Sequence, residues 1–382
     1  MKFIELNRSS RADVALQACI ERSVCILAML IIHLAWPCPA KAQISAANWP
    51  TPQDGDYVAK DFHFKDGSSL PEVRLHYRTL GKPHRDSNGH VDNAVLILHG
   101  TGGAGTQFLG PQFAGVLFKS GGLLDAEKFY IILPDDIGHG KTSKPSDGTH
   151  AHFPQYDYDD MVLGENLLVT KGLGVDHLRL IMGTSMGCMH TWVWGETYPG
   201  FADALMPLAC MPIQIAGRNR LTRKMAMDAI TSDPGWMHGE YKTQPAGLKT
   251  AIDMLLIMGS SPLQMQKLYP TRDAADAYLE KAVDRYQSSL DANDFLYQFN
   301  SSRNYDPSSN LEKITVPVMA INSADDFINP PELEVMPKMI KRVVKGKFVL
   351  LPITDETRGH GTHTLPAIWS QYLAELLQES KH

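Results

Sequence analysis

Gly183-Thr184-Ser185-Met186-Gly187 constrains this chain more than any other five residues. The apolar run Leu178–Met182 leads into it, and a helical pattern, Met186–Tyr198, leads out of it. Glycines on both sides permit a sharp strand-to-helix turn that lifts the Ser185 hydroxyl above the end of a sheet. The start of the helix behind it offers free N–H groups and a partial positive charge. An ordinary Gly-rich turn would need neither flanking element. A chain holding this turn must therefore place a buried strand directly before a packed helix.

The remaining pattern meets that requirement. Tyr57–Phe64 and Glu72–Leu80 partly alternate and are bounded by turn signals, so they read as an antiparallel pair. Ala94–Leu98, Tyr130–Leu133, Leu178–Met182, Val316–Ile321 and Lys347–Leu351 are short apolar runs, as in strands buried on both faces. Helical stretches at Met161–Leu173, Met186–Tyr198, Pro331–Val343 and Leu365–Glu379 separate them. This alternation predicts an α/β chain, a mostly parallel central sheet with helices on both faces. Residues 212–305 break it: after a strand near Ala204–Leu208 they are Met-rich and helical in pattern, with no convincing strand. They read as a helical lid inserted between core segments 43–211 and 306–382.

Residues 1–42 form a separate address label in this reading. A basic start (Lys2, Arg8, Arg11, Arg22), the uncharged run Ser23–Trp36 and a closing Ala40-Lys41-Ala42 match a cleaved export signal. The run is short of the roughly 20 residues a membrane span requires. The expectation is an exported protein, periplasmic or secreted, with no stable membrane span after cleavage. Removing five basic and three acidic residues from 36 and 42 leaves 31 and 39, a net charge of −8. Such a balance draws no nucleic acid. Three of the five cysteines leave as well; Cys188 and Cys210 remain and could pair in an oxidising compartment, which their spacing does not decide. No Cys/His spacing suggests a metal site, and no cofactor is expected.

Ser185 needs a base, and the base an orienting acid, in the chain order Ser–Asp/Glu–His. The loop after Val316–Ile321 carries Asp325 and Asp326; Asp326, four residues before Pro330, is favoured, with Asp325 left to a solvated turn or the lead-in of a helix. After the last strand come His360 and His363, and His360, in a Gly-His pair, is favoured. Spacing alone leaves both choices open. Oxyanion donors are expected at the Met186 amide and at Thr101 in His99-Gly100-Thr101-Gly102-Gly103-Ala104-Gly105. That loop lacks the Lys-Ser/Thr of a phosphate-binding turn. Cys188, a conceivable rival nucleophile, should face the helix–sheet core.

Several motifs carry a resemblance: Gly183–Met189 with Tyr198-Pro199, Asp228–Trp236 with Gly239-Glu240-Tyr241, Leu290–Leu296, and Asp326–Glu332. Over roughly residues 70–378 the chain resembles the homoserine O-acetyltransferase family of α/β-hydrolase-fold proteins. The resemblance implies that fold with a helical lid, an acyl-serine intermediate, and the residues already chosen. Two departures concern substrate. Where the family holds an amino-acid carboxylate with arginine, three residues before Ile230, this chain has Met227; after His360, where the family has Asp, it has Gly361. Arg218, Arg220, Arg223 and Lys224 lie near enough to substitute only with a different geometry. His99, Gly102, Met227 and His363 are the candidate substrate-facing residues.

The expected partner is a small-molecule ester, and an exported protein meets little acetyl-CoA, so the expected acyl acceptor is water. The competing readings are an O-acyltransferase using acyl-CoA and an inactive binding protein on the same scaffold. The lid's Met225, Met227, Trp236, Met237, Met254, Met258, Met265 and Tyr269 either line an apolar pocket or pack the insertion, and a homodimer through the lid is a further expectation.

Overall fold

The computed structural model describes residues 48–381, so the proposed signal at 1–42 lies outside the described residues. Eight strands form one sheet in the order β1-β2-β4-β3-β5-β6-β7-β8. They are β1 (Gln53–His63), β2 (Ser69–Leu80), β3 (Ala94–Leu98), β4 (Tyr130–Pro134), β5 (Leu180–Thr184), β6 (Leu205–Leu208), β7 (Val318–Ser323) and β8 (Gly346–Leu351). β1 pairs antiparallel with β2, and β2 with β4; all pairs from β4 to β8 are parallel.

The apolar runs explain the layers. Alternate residues of a strand face opposite sides. Ala94, Leu96 and Leu98 of β3 join one core, and Val95 and Ile97 join the other. On the first side pack α2 (Tyr158–Leu167), α3 (Met186–Thr197) and α9 (Val335–Met339); on the second pack α1 (Ala114–Leu117) and α10 (Pro366–Glu379). β3 to β7 are buried along their whole length. β8 is not: it is an edge strand, only Leu351 fully buried, so its apolar run covers one face and not two. The helix expected over Pro331–Val343 is broken into short 3₁₀ pieces around α9, with Glu334 in a left-handed turn at the break.

The insertion comprises α4 (Gly217–Thr231), α5 (Gly247–Gly259), α6 (Pro262–Leu268), α7 (Arg272–Gln287) and α8 (Ala292–Asn300). It has its own small core, in which Ala226, Ile230, Leu248, Ala251, Ile252, Val283, Phe295 and Phe299 meet. The sequence motifs of this region hold it together by hydrogen bonds. Asp291 caps α8, accepting from the Asn293 and Asp294 amides and from the Tyr241 hydroxyl. The Trp236 indole donates to Asn293 Oδ1 at 2.9 Å, and Asn293 Nδ2 donates to the Gly239 carbonyl at 2.9 Å. No helix among the described residues is long and apolar enough to cross a membrane.

Candidate active site

Ser185 stands between β5 and α3 with φ 56° and ψ −107°, a left-handed conformation a serine holds only when its surroundings dictate it. The flanking glycines act through close approach. A Cβ on Gly183 would lie 1.9 Å from the Gly187 carbonyl oxygen, and one on Gly187 would lie 2.2 Å from the Leu98 carbonyl oxygen of β3. The turn is thus pressed against the neighbouring strand, and only glycine fits on either side of the serine.

The strand ends of β7 and β8 bring the other two groups. His360 Nε2 is 2.8 Å from Ser185 Oγ, and His360 Nδ1 is 2.9 Å from Asp326 Oδ2. A carboxylate oxygen can only accept here, so Nδ1 carries the hydrogen and Nε2 presents its lone pair to the serine hydroxyl. Asp326 is buried, and it also accepts from the Ile328 amide at 2.8 Å and from Asn329 Nδ2 at 3.0 Å. Burial alone would push its carboxyl up. The His360 charge and hydrogen bond, with those from Asn329 and Ile328, outweigh burial and hold it below its usual range.

The structure separates the pairs that spacing left open. Asp325, expected in a solvated turn, is half-buried and accepts from the Gly359 amide at 2.8 Å, Ser261 Oγ at 3.1 Å and Ser323 Oγ at 2.5 Å. It fastens the His360 loop to the lid. His363 does not line either large cavity; its ring packs edge-on behind His360 at 5.0 Å, and burial followed by the His360 charge pushes it down to about 3.

The amides of Met186 and Thr101 have no hydrogen-bond partner among the described residues. The loop presenting Thr101 is fixed from below: buried Asp135 accepts from the Gly105 amide at 2.8 Å, and Gln107 accepts from the Gly100 amide at 3.2 Å while donating to Thr184 Oγ1 at 3.0 Å. Neither Gln107 nor Asp135 leaves a linear pattern, since each acts through loop contacts made only on folding. His99, expected to face substrate, is wholly buried. Its Nδ1 donates to the Gly100 carbonyl at 2.8 Å and its Nε2 accepts the Asp136 amide at 3.1 Å, so both ring nitrogens are engaged in the loop. Gly102, by contrast, does line a cavity.

Two cavities meet this region. One of about 540 Å³ is lined by Ser185, His360, Met189, Met211, Ile213, Ile328 and Arg223, among others. The second, of about 470 Å³, is lined by Thr101, Gly102, Arg358, Gly361 and lid residues including Met265 and Phe299. Of the lid's methionines and aromatics singled out in the sequence, only Met265 borders either cavity. Met225 and Met237 are exposed, Met258 is buried, and Trp236 and Met254 pack against the lid core. Met227 packs there too, so it is a lid-packing residue and not a substrate-facing one.

Cys188 on α3 and Cys210, just past β6, form a disulfide, which leaves no thiol beside Ser185 to compete with it. Beneath α3, Asp136, Glu165 and His190 converge with ligand-type atoms within 4.8 Å of one another, the one described group that could hold a metal ion. They engage each other: His190 Nδ1 lies 2.7 Å from Glu165 Oε1, and the Trp194 indole donates to the other Glu165 oxygen. Burial and the Glu165 charge push Asp136 up to about 8; burial pushes Glu165 up to about 7 and His190 down. The strongly buried acids form a proton-holding cluster that sequence spacing does not reveal, because the loop after β4 and helices α2 and α3 each supply one member.

The sheet order, the strand-to-helix serine and the linked Ser–His–Asp side chains define a chain of the α/β hydrolase fold, and the chain belongs to that family, which matches residues 93–352. Within it, the chain is 28% identical over 309 residues to a probable acyltransferase of Methanothermobacter thermautotrophicus, covering 80% of this chain and 91% of that one. It is 27% identical over 345 residues to the homoserine O-acetyltransferase of Pelobacter propionicus, covering 81% and 91%. The acetyl esterase MekB is similar in structure, with a TM-score of 0.72, 23% identity, and coverage of 85% and 97%.

Proposed function

We propose that this chain is a serine hydrolase that cleaves a carboxylic ester through an acyl-Ser185 intermediate. The observation that carries the reading is the continuous hydrogen-bond chain from Ser185 Oγ through His360 to Asp326. Ser185 attacks the ester carbonyl while His360 Nε2 takes its proton; Asp326 keeps Nδ1 protonated and stabilises the imidazolium that forms. The free amides of Met186 and Thr101 receive the oxyanion. His360 returns the proton to the departing alcohol, and water then repeats the cycle to release the acid. Labelling by a fluorophosphonate tests this: Ser185 becomes modified in the folded protein, and an unlabelled Ser185 would overturn it.

A second reading, acyl transfer from acyl-CoA to a small alcohol, draws on the names of the two curated relatives. Both readings share the acyl-serine and differ in the acceptor. Incubation with acetyl-CoA and homoserine, compared with ester hydrolysis alone, separates them by product. The Cys188–Cys210 disulfide supports export to an oxidising compartment, since such bonds persist there and are rare in the cytosol. Exposed Leu221, Met225, Ile257, Leu263 and Leu268 support a lid-to-lid homodimer, which light scattering checks.

A further inference from the structure

The first cavity contains a positive charge with no counter-charge. Arg223 on α4 is 4% exposed and lines the same space as Ser185 and His360. Its Nε donates to Asn219 Oδ1 at 3.0 Å and its Nη1 to Ser302 Oγ at 3.3 Å, both uncharged acceptors, and Nη2 makes no hydrogen bond. Its guanidinium lies 5.3 Å from the centre of the Phe299 ring. Among the described residues no Asp or Glu pairs with it; the charged or ionisable groups that act on it are Tyr158, a buried and uncharged hydroxyl beside the guanidinium, and Arg220, which repels it. Buried arginines are ordinarily paired, because desolvating a cation without an anion is costly.

The neighbouring basic residues do not share this situation. Lys224 pairs with Asp228 on the outer face of α4. Arg218 is exposed, stacks on Phe327 and donates to the Phe327 carbonyl. Glu332, the carboxylate bordering the cavity, is exposed and makes no bond to Arg223. The rest of the wall is largely apolar: Met189, Ala209, Met211, Ile213, Ile328 and Val335. A space with apolar sides, a buried unpaired guanidinium and a reactive serine fits an ester with an apolar stem ending in an anion.

We propose that Arg223 receives a carboxylate of the substrate, so that the ester cleaved at Ser185 bears an acidic group on the part entering this cavity. The proposal rests on the serine-ester reading and adds the substrate class. A guanidinium fork matches a planar carboxylate, and the bond gains strength where water is excluded. Desolvation of Arg223 is then offset only when such a substrate is bound, which makes the pocket selective against neutral esters of the same shape.

Two measurements test it. The first compares kcat/KM for methyl hydrogen glutarate with methyl valerate, and for acetoxyacetate with propyl acetate, placing the acid on the acyl or the alcohol side. In one pair the acidic ester is favoured at least tenfold, and Arg223→Gln collapses that ratio at least tenfold while Arg223→Lys retains part of it. A wild-type preference for neutral esters in both pairs, or a ratio unchanged by Arg223→Gln, overturns the proposal. The second is independent of turnover: glutarate and acetoxyacetate are each added to the Ser185→Ala protein. At least one raises its melting temperature and fails to do so when Arg223→Gln is also present. If neither binds, or binding survives Arg223→Gln, the carboxylate site is wrong even if Ser185 is labelled by fluorophosphonate. If binding is lost with Arg223→Gln but Ser185 is never labelled, the site stands and the hydrolase reading fails.

Discussion

At Ser185 an added methyl on Gly183 would sit 1.9 Å from a carbonyl oxygen, whereas in the lid Leu221, Met225, Ile257 and Leu263 stand mostly exposed. The first region is fixed by contacts between backbones, which no side-chain adjustment relieves. The lid is a set of helices around a small core of its own, pinned by the cap at Asp291 and the Trp236–Asn293 bond.

Substitutions on the two sides should differ accordingly. The largest effect is on turnover: Ser185→Ala lowers p-nitrophenyl ester hydrolysis by roughly 10⁴-fold or more with the circular dichroism spectrum unchanged. Next comes Gly183→Ala, which must push apart β5 and α3 and destabilises by about 3 kcal/mol in urea titration. Cys210→Ser opens a loop of sequence separation 22 and costs about 3 kcal/mol, an effect that reducing agent reproduces in the wild type and not in the variant. Asp136 affects pH dependence. Its folded form keeps a proton up to about 8 that the unfolded chain releases near 3.8, so its stabilising contribution is full below 3.8 and lost as pH rises through 8. The melting temperature therefore falls across that window, and Asp136→Asn, which keeps the shape of the protonated acid, flattens the fall. The smallest effect is in the lid: Leu221→Ser shifts stability within about 0.5 kcal/mol. A large loss there would mean that the lid surface is covered in solution.

The sequence showed more of one region than of the other for the same reason. Short apolar runs and a Gly-bounded serine follow from backbone geometry, and geometry leaves a local pattern; β3 to β7 and the serine turn were legible to within a few residues. β8 was misjudged because an apolar run does not say whether a strand lies at an edge. Asp326 and His360 are the members of their loops that hydrogen bonds join to Ser185, and only distance separates them from Asp325 and His363. His99 and Met227 were misread as substrate-facing because both lie near the site in sequence and turn into packing in space. Arg223 was one of four basic residues on a stretch of helix, and nothing but the depth of the cavity distinguishes it. The Asp136–Glu165–His190 cluster had no linear trace at all.

Asp325 has one further consequence, for anyone exchanging parts between relatives. It accepts hydrogen bonds from Ser261 at the start of α6 and from the amide of Gly359 beside His360. A lid grafted from another protein of this fold, joined cleanly at 212 and 305, would take away the Ser261 hydroxyl, one of that carboxylate's three donors, and leave the histidine loop no longer tied to the lid. Such a chimera should fold, since the donor lid brings its own small core, yet turn over slowly until a hydroxyl is restored opposite Asp325. The seam between scaffold and cover therefore runs through this aspartate as well as through the chain ends.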